Sequence, residues 1–121
     1  MIRVAVIDDD PIELTLLKGF SAHLDGSFEW TGFESVESFA TRDDAAQFDL
    51  IFLDRKIPPF VRFIDTVPII EASGFTGRIV LLSAHSEEQA PTSSTCEIIG
   101  PLDKIAVQDR NQLEGLLQLP L

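Results

Sequence analysis

The sequence predicts an α/β fold with a doubly wound, five-stranded parallel sheet. Residues 1–7, 48–53 and 79–82 are continuous apolar runs rather than alternating ones, apart from Arg3 and Asp49, as is typical of strands covered by helices on both faces of a sheet. Weaker patterns predict two shorter strands at 28–33 and 97–99. Helical segments lie between the strands, and this alternation favours parallel strands joined by crossover helices.

Three of the predicted helices have clear signals. The first has Asp10 as its N-cap, Pro11 at the first helical position and Glu13 three residues after the cap. Apolar residues then recur on one face, at Leu14, Leu17, Phe20 and Leu24. A second helix is expected to begin at Ser35, and a last helix is indicated by Leu113, Leu116 and Leu117.

The helix after the third strand is expected to begin near Asp65 or Thr66. Pro68 would then lie in the first turn, where its missing N–H costs little. This start leaves residues 55–64 as a long loop. Two phenylalanines in that loop either pack against the sheet or form an exposed patch that binds a partner, namely Phe60 and Phe63.

A fourth helix, between the fourth and fifth strands, is expected to be short, frayed or missing. The segment 86–95 contains Pro91, four Ser or Thr residues among its last five positions and few apolar residues, which makes it a poor helix former. By the same composition, a break in regular structure is expected at residues 90–95.

Length and charge narrow the class of protein. A chain of 121 residues is the size of one ordinary domain, which we expect to span residues 1–121. The net charge of −11 repels phosphate backbones and anionic lipid headgroups, so neither nucleic acid nor membrane is an expected partner. Cys96 has no second cysteine to pair with and is expected to be buried beside a strand. With no signal-type N-terminus, these features predict a cytoplasmic protein.

Polar residues follow the predicted strands where each one ends. In an open parallel sheet the carboxyl ends of the strands meet at one edge, where binding sites form. We therefore expect the strand-end residues to converge: Asp8, Asp9 and Asp10 after the first strand, Asp54 at the third, Ser83 at the fourth and Lys104 beyond the fifth.

Carboxylates held this close together would repel one another unless a cation lay among them. Oxygen ligands without a His or Cys set at zinc spacing favour Mg²⁺. An aspartate beside Mg²⁺ can attack a phosphoryl donor in line, and Ser83 and Lys104 are suitable groups to bind the product. Taken singly, Asp10 is explained as a helix cap and Asp54 as the start of a turn, but the complete set favours a site.

The set resembles the receiver domain of two-component response regulators. The resemblance is carried in order along the whole chain by the pair Asp8-Asp9, Asp54, Pro58, the pair Ser83-Ala84, and Lys104. It implies a flavodoxin-like sheet with strand order 2-1-3-4-5. It also implies that the protein is a single-domain regulator rather than an enzyme, with at most self-catalysed phosphotransfer and autodephosphorylation.

The resemblance further implies a role for each site residue. Asp54 would be the phosphoacceptor, Asp9 a direct Mg²⁺ ligand, Asp8 a ligand largely through water and the Lys56 backbone carbonyl a further ligand. Ser83 and Lys104 would hold the phosphoryl group. The donor would be a sensor histidine kinase or a histidine phosphotransfer protein. The output would be binding to an unidentified downstream protein, or removal of phosphoryl groups as a phosphate sink.

Two positions depart from the receiver pattern. Ile105 follows Lys104 where a proline is common, and Pro101 stands where many receivers carry a Tyr or Phe that rotates inward on phosphorylation. We therefore expect atypical signal transmission with the chemistry intact.

Two alternative functions stay open. The segment "VAVIDDDPI" also resembles the first motif of haloacid-dehalogenase-type phosphatases, with Asp8 as nucleophile and Asp10 two residues on. The small size of the chain and the lack of a role for Asp54 count against this assignment. The other alternative is a pseudo-receiver that binds partners without being phosphorylated, although the retained acidic, hydroxyl and lysine set argues against it.

Overall fold

The protein contains one five-stranded parallel sheet with strand order β2-β1-β3-β4-β5, as predicted. The computed structural model describes residues 2–22, 24, 27–54, 62–83, 91–104, 107 and 109–118. The strands are β1 (Ile2–Ile7), β2 (Phe28–Phe33), β3 (Leu50–Asp54), β4 (Arg78–Ser83) and β5 (Glu97–Asp103). The helices are α1 (Pro11–Ser21), α2 (Val36–Ala40), α3 (Phe63–Ala72) and α4 (Arg110–Leu117), with a 3₁₀ turn at Ala45–Gln47.

Helices cover both faces of the sheet. On one face α2 and α3 contribute Phe39, Phe63 and Ile70 to an apolar core. On the other face α1 and α4 contribute Leu17 and Leu113 to a second core. Every residue of β3 and of β4 is buried between these layers, which explains why their sequences are apolar without alternation.

The starts of the first two helices are as predicted. The Asp10 carboxylate accepts a hydrogen bond from the Ile12 N–H at 3.0 Å and so caps α1. Ser35 caps α2 through a reciprocal pair of bonds with Ser38.

The predicted start of α3 is wrong by two to three residues, because the helix already begins at Phe63. Pro68 therefore lies inside the helix, where it removes the hydrogen bond to the Ile64 carbonyl. Ile64 and Pro68 are both exposed, so the interrupted turn lies on the solvent side of the helix. Phe63 and Val67 are fully buried, and their packing offsets the cost of the proline. Phe63 is therefore a core residue rather than part of an exposed patch, while Phe60 lies outside the described residues.

β5 runs four residues past its predicted end at Ile99, through Gly100 and Pro101. Gly100 has φ of +107°, and a Cβ at this position would lie 2.7 Å from the Leu81 carbonyl oxygen. The β4–β5 pairing shifts register at this point. Because β5 is an edge strand, it tolerates a proline that a central strand would exclude.

The connection from β4 to β5 contains no helix within residues 91–96, in agreement with the prediction; residues 84–90 lie outside the described part. The connection ends at Cys96, which is buried as expected and donates its S–H to the Phe75 carbonyl at 3.2 Å. Within the described ranges, no helix has the length and apolar character needed to cross a membrane.

Arg78 joins the last helix to the amino-terminal edge of the sheet. Arg78 is the first residue of β4. Its Nη1 donates to the carbonyls of Leu116 at 2.8 Å and Gln118 at 3.0 Å. Its Nε donates to Glu97 at 3.2 Å. These bonds satisfy backbone carbonyls at the C-terminal end of α4 that have no partner within the helix.

Candidate functional site

The carboxyl edge of the sheet brings together the strand-end residues that the sequence singled out. Asp54 is the last residue of β3, and it pairs in register with Leu82, beside Ser83 at the end of β4. The Asp8 N–H donates to the Phe33 carbonyl at 3.0 Å, which continues the β1–β2 pairing and fixes the backbone of Asp8. Lys104 directly follows β5.

Lys104 lies between two buried carboxylates. Its Nζ is 3.2 Å from Asp8 Oδ2 and 3.0 Å from Asp54 Oδ1. Asp8 and Asp54 are only 6% and 7% exposed. Ion pairs screened from solvent in this way interact more strongly than surface pairs. Lys104 therefore offsets part of the charge that two adjacent carboxylates would otherwise leave uncompensated.

The acidic residues of the site could also hold a metal ion. One carboxylate oxygen from each of Asp8, Asp9 and Asp54 lies within 4.8 Å of the other two. Asp9 is exposed, whereas Asp8 and Asp54 are buried, so the cluster opens toward solvent on one side. Three carboxylates and an open side fit a hard divalent cation such as Mg²⁺, which binds oxygen ligands and keeps several waters.

Burial and neighbouring charges shift the pKa values of Asp8 and Lys104. Burial raises the pKa of the Asp8 carboxyl to about 6, despite the bond from the Asp10 N–H and the attraction of Lys104. For Lys104, burial works against the ammonium, but the hydrogen bond and charge of Asp54 outweigh it and raise the pKa. Lys104 therefore stays charged at neutral pH, while Asp8 is held ionised at a cost.

The raised pKa of Asp8 predicts that the stability of the protein depends on pH in the absence of divalent cations. Folded Asp8 keeps its proton up to about pH 6, whereas the ordinary pKa is 3.8. Between these values the unfolded chain binds fewer protons than the folded one, so this group lowers the free energy of unfolding as pH rises. Urea denaturation in EDTA from pH 4 to 7 should show a steeper fall for the wild type than for Asp8→Asn. Parallel profiles for the two proteins would contradict the prediction.

The other residues predicted from the sequence lie either near the site, outside the cluster or outside the described residues. Ser83 is 1% exposed at the end of β4, on the predicted edge of the sheet. Asp10 caps α1 and is not among the three clustered carboxylates. Lys56 and Ile105 lie outside the described residues, as do residues 55–61 and 84–90, so the predictions made for them stay predictions.

Glu13 is a neighbour of the site that sequence reasoning missed, because it was interpreted only as a capping residue. Burial raises the pKa of Glu13, the charge of Lys104 lowers it, and the charges of Asp8, Asp54 and Asp10 raise it further. The Glu13 carboxylate is thus within electrostatic range of the cluster. Its spacing of four residues from Asp9, on the first turn of a helix that starts at the site, was the available signal.

Comparisons with known proteins support the same fold. The sequence matches no protein-family model and none of the curated proteins with which it was compared. The structure is similar to a response regulator receiver domain protein from Bacillus halodurans, with 17% identity, a TM-score of 0.70 and 97% of each chain covered.

Two further solved structures are similar over most of the chain. The response regulator domain of Thermotoga maritima CheB has 20% identity and a TM-score of 0.66, with 98% of this chain and 96% of that one covered. CheY of Borrelia burgdorferi, solved in a CheX-CheY-BeF3-Mg²⁺ complex, has 21% identity and a TM-score of 0.60, with 93% and 87% covered. The chain therefore has the fold of response-regulator receiver domains.

Proposed function

We propose that this protein accepts a phosphoryl group on Asp54 and signals through the resulting change. The donor would be a phosphohistidine on a sensor histidine kinase or a histidine phosphotransfer protein. The observation that carries the proposal is the contact of Lys104 with both Asp8 and Asp54, beside three carboxylates whose oxygens lie within 4.8 Å. A carboxylate, a cation-binding cluster and a fixed ammonium are the groups that phosphoryl transfer to an aspartate requires.

Each residue has a defined task in the transfer. An Asp54 oxygen attacks phosphorus as the bond from phosphorus to the histidine nitrogen breaks, which leaves an acyl phosphate on Asp54 and a free imidazole. Lys104, 3.0 Å from Asp54 before the reaction, then donates to a phosphoryl oxygen, and the Ser83 hydroxyl would do the same. Asp8, Asp9 and Asp54 would hold Mg²⁺ together with the Lys56 carbonyl. When bound, Mg²⁺ supplies positive charge that offsets the charge of the phosphoryl oxygens.

The structural neighbours support this assignment. The Borrelia burgdorferi CheY was solved with Mg²⁺, with BeF3 and with the protein CheX. BeF3 resembles a phosphoryl group in size and charge, so that complex combines the three kinds of ligand proposed for this protein.

The proposed output is binding to an as yet unidentified downstream protein, or use as a phosphate sink. The net charge of −11 favours a protein partner over nucleic acid or a membrane surface. We propose a cytoplasmic phosphoacceptor rather than an enzyme that turns over a separate substrate.

The test is to find which aspartate becomes modified. The protein is incubated with acetyl phosphate or a phosphorylated kinase, with Mg²⁺ or with EDTA, and the modified peptide is identified by mass spectrometry. We expect one added phosphoryl group, on the peptide that contains Asp54 and only when Mg²⁺ is present. Modification of Asp8 would instead support the phosphatase assignment. No modification by any donor in Mg²⁺ would favour a pseudo-receiver.

A further inference from the structure

Glu13 lies on the face of α1 that turns toward the sheet. Residues four apart lie on the same side of a helix, and two such steps lead from Glu13 to Leu17 and Ser21. These two residues are 1% and 5% exposed, and Glu13 itself is half-buried. Glu13 therefore continues a buried stripe by one turn, toward the end of α1 that meets the acidic cluster.

Glu13 is also not the acceptor of the capping hydrogen bond that its position suggests. In a capping box the glutamate at this position accepts a bond from the N–H of the N-cap residue. Here the Asp10 N–H donates to Asp8 Oδ1 at 2.9 Å. The N–H that Glu13 would bind in a capping box is therefore bonded to a residue of the acidic cluster.

The negative charge of Glu13 affects the electrostatic potential of the site. Among the residues that the structure describes, Asp8, Asp9 and Asp54 bring three carboxylates together, and the ammonium of Lys104 contacts two of them. Glu13 lies in the first turn of α1, whose N-cap Asp10 directly follows Asp8 and Asp9, and the charges of Lys104, Asp8 and Asp54 act on its carboxyl group. A Glu13 carboxylate therefore adds negative potential near the cluster. Negative potential attracts cations and repels anions over distances longer than a hydrogen bond.

We propose that Glu13 is a specificity residue of this site, which strengthens binding of the divalent cation and weakens binding of small, free anionic phosphodonors. It would do so without contacting either ligand. The inference rests on the proposed function and concerns the selectivity of the same site.

The first measurement is Mg²⁺ affinity by isothermal titration calorimetry, which needs no phosphoryl transfer. We expect Glu13→Gln to raise the Kd for Mg²⁺ by about threefold to tenfold, as removal of one nearby charge should. Glu13→Asp, which keeps the charge, should stay close to the wild type. The matched control is Glu114→Gln, which removes a charge from the exposed surface of α4 and should leave the Kd unchanged.

The second measurement is the salt dependence of Mg²⁺ binding and the rate of modification by acetyl phosphate at saturating Mg²⁺. The Kd of Glu13→Gln should depend less on salt than that of the wild type. Its half-saturating acetyl phosphate concentration should fall while its maximal rate is unchanged. Circular dichroism would verify that the variants are folded.

The outcomes separate this inference from the proposed function. If the wild type binds Mg²⁺ and is modified, but Glu13→Gln behaves like Glu114→Gln, the inference is overturned and the proposed function stands. Equal weakening by Glu13→Gln and Glu13→Asp would show a packing role and overturn the inference as well. A wild type that neither binds Mg²⁺ nor becomes modified would overturn both.

Discussion

Replacement of Asp54 by asparagine is expected to abolish stable incorporation of a phosphoryl group. The amide keeps the shape of the carboxylate but cannot form an acyl phosphate, and it removes one of the two anionic partners that hold Lys104. Binding of Mg²⁺ should also weaken, because Asp54 provides one of the three clustered oxygens. The measurements are incorporation of label from a phosphorylated kinase or acetyl phosphate, and calorimetry with Mg²⁺.

The control for this variant is Asp65→Asn. Asp65 is an exposed carboxylate in the first turn of α3 and is not among the three clustered carboxylates, so its replacement makes the same chemical change and should leave incorporation intact. Incorporation that persists in Asp54→Asn but is lost in Asp8→Asn would contradict the prediction. Such a result would assign the nucleophile to Asp8, as in haloacid-dehalogenase-type phosphatases.

Replacement of Phe39 by alanine is expected to cause the largest loss of stability among these variants. Phe39 is fully buried, and its ring centroid lies 5.3 Å from that of Phe33, 5.4 Å from that of Phe48 and 6.1 Å from that of Phe75. Truncation of a buried phenylalanine costs about 3–5 kcal/mol, through lost transfer free energy and the cavity left behind. α2 has only five residues, so few other contacts hold it to the sheet.

The loss can be measured by urea denaturation. Trp30 is the only tryptophan, and its ring is stacked on Phe52 at 6.0 Å in the opposite core, so its fluorescence reports unfolding without being part of the altered cluster. The control is Ile12→Ala, because Ile12 is 60% exposed and such substitutions change stability little. A loss for Phe39→Ala no larger than that for Ile12→Ala would refute the prediction.

The sequence is most informative about the fold where burial is complete. Strands β3 and β4 are covered on both faces, so their apolar runs stand out and their ends were placed within one or two residues. β5 lies at an edge and is only half-buried, so its sequence pattern is weak and its end was placed four residues too early, at Ile99. α3 was placed too late because the cost of Pro68 is visible in the sequence, whereas the packing of Phe63 that offsets it is not.

The candidate site was predictable because parallel topology fixes where strand ends meet. Asp8, Asp54 and Lys104 are far apart in the chain, yet each lies at or just after the carboxyl end of a strand of the same sheet, and Lys104 contacts both carboxylates. The proposed role of Glu13 was not predictable in this way. It depends on Asp8 accepting the bond from the Asp10 N–H, a tertiary detail that a capping pattern in the sequence does not reveal.

Arg78 has a practical consequence for labelling the protein. By holding the carbonyls of Leu116 and Gln118, it keeps the end of α4 near the first residue of β4, whereas Ser83 ends that strand at the acidic edge. A strand of this length spans roughly 17 Å. A fluorophore or affinity tag attached after residue 118 would therefore start near the amino-terminal ends of the strands. It would leave the approach to Asp54, at their carboxyl ends, clear for a docking kinase.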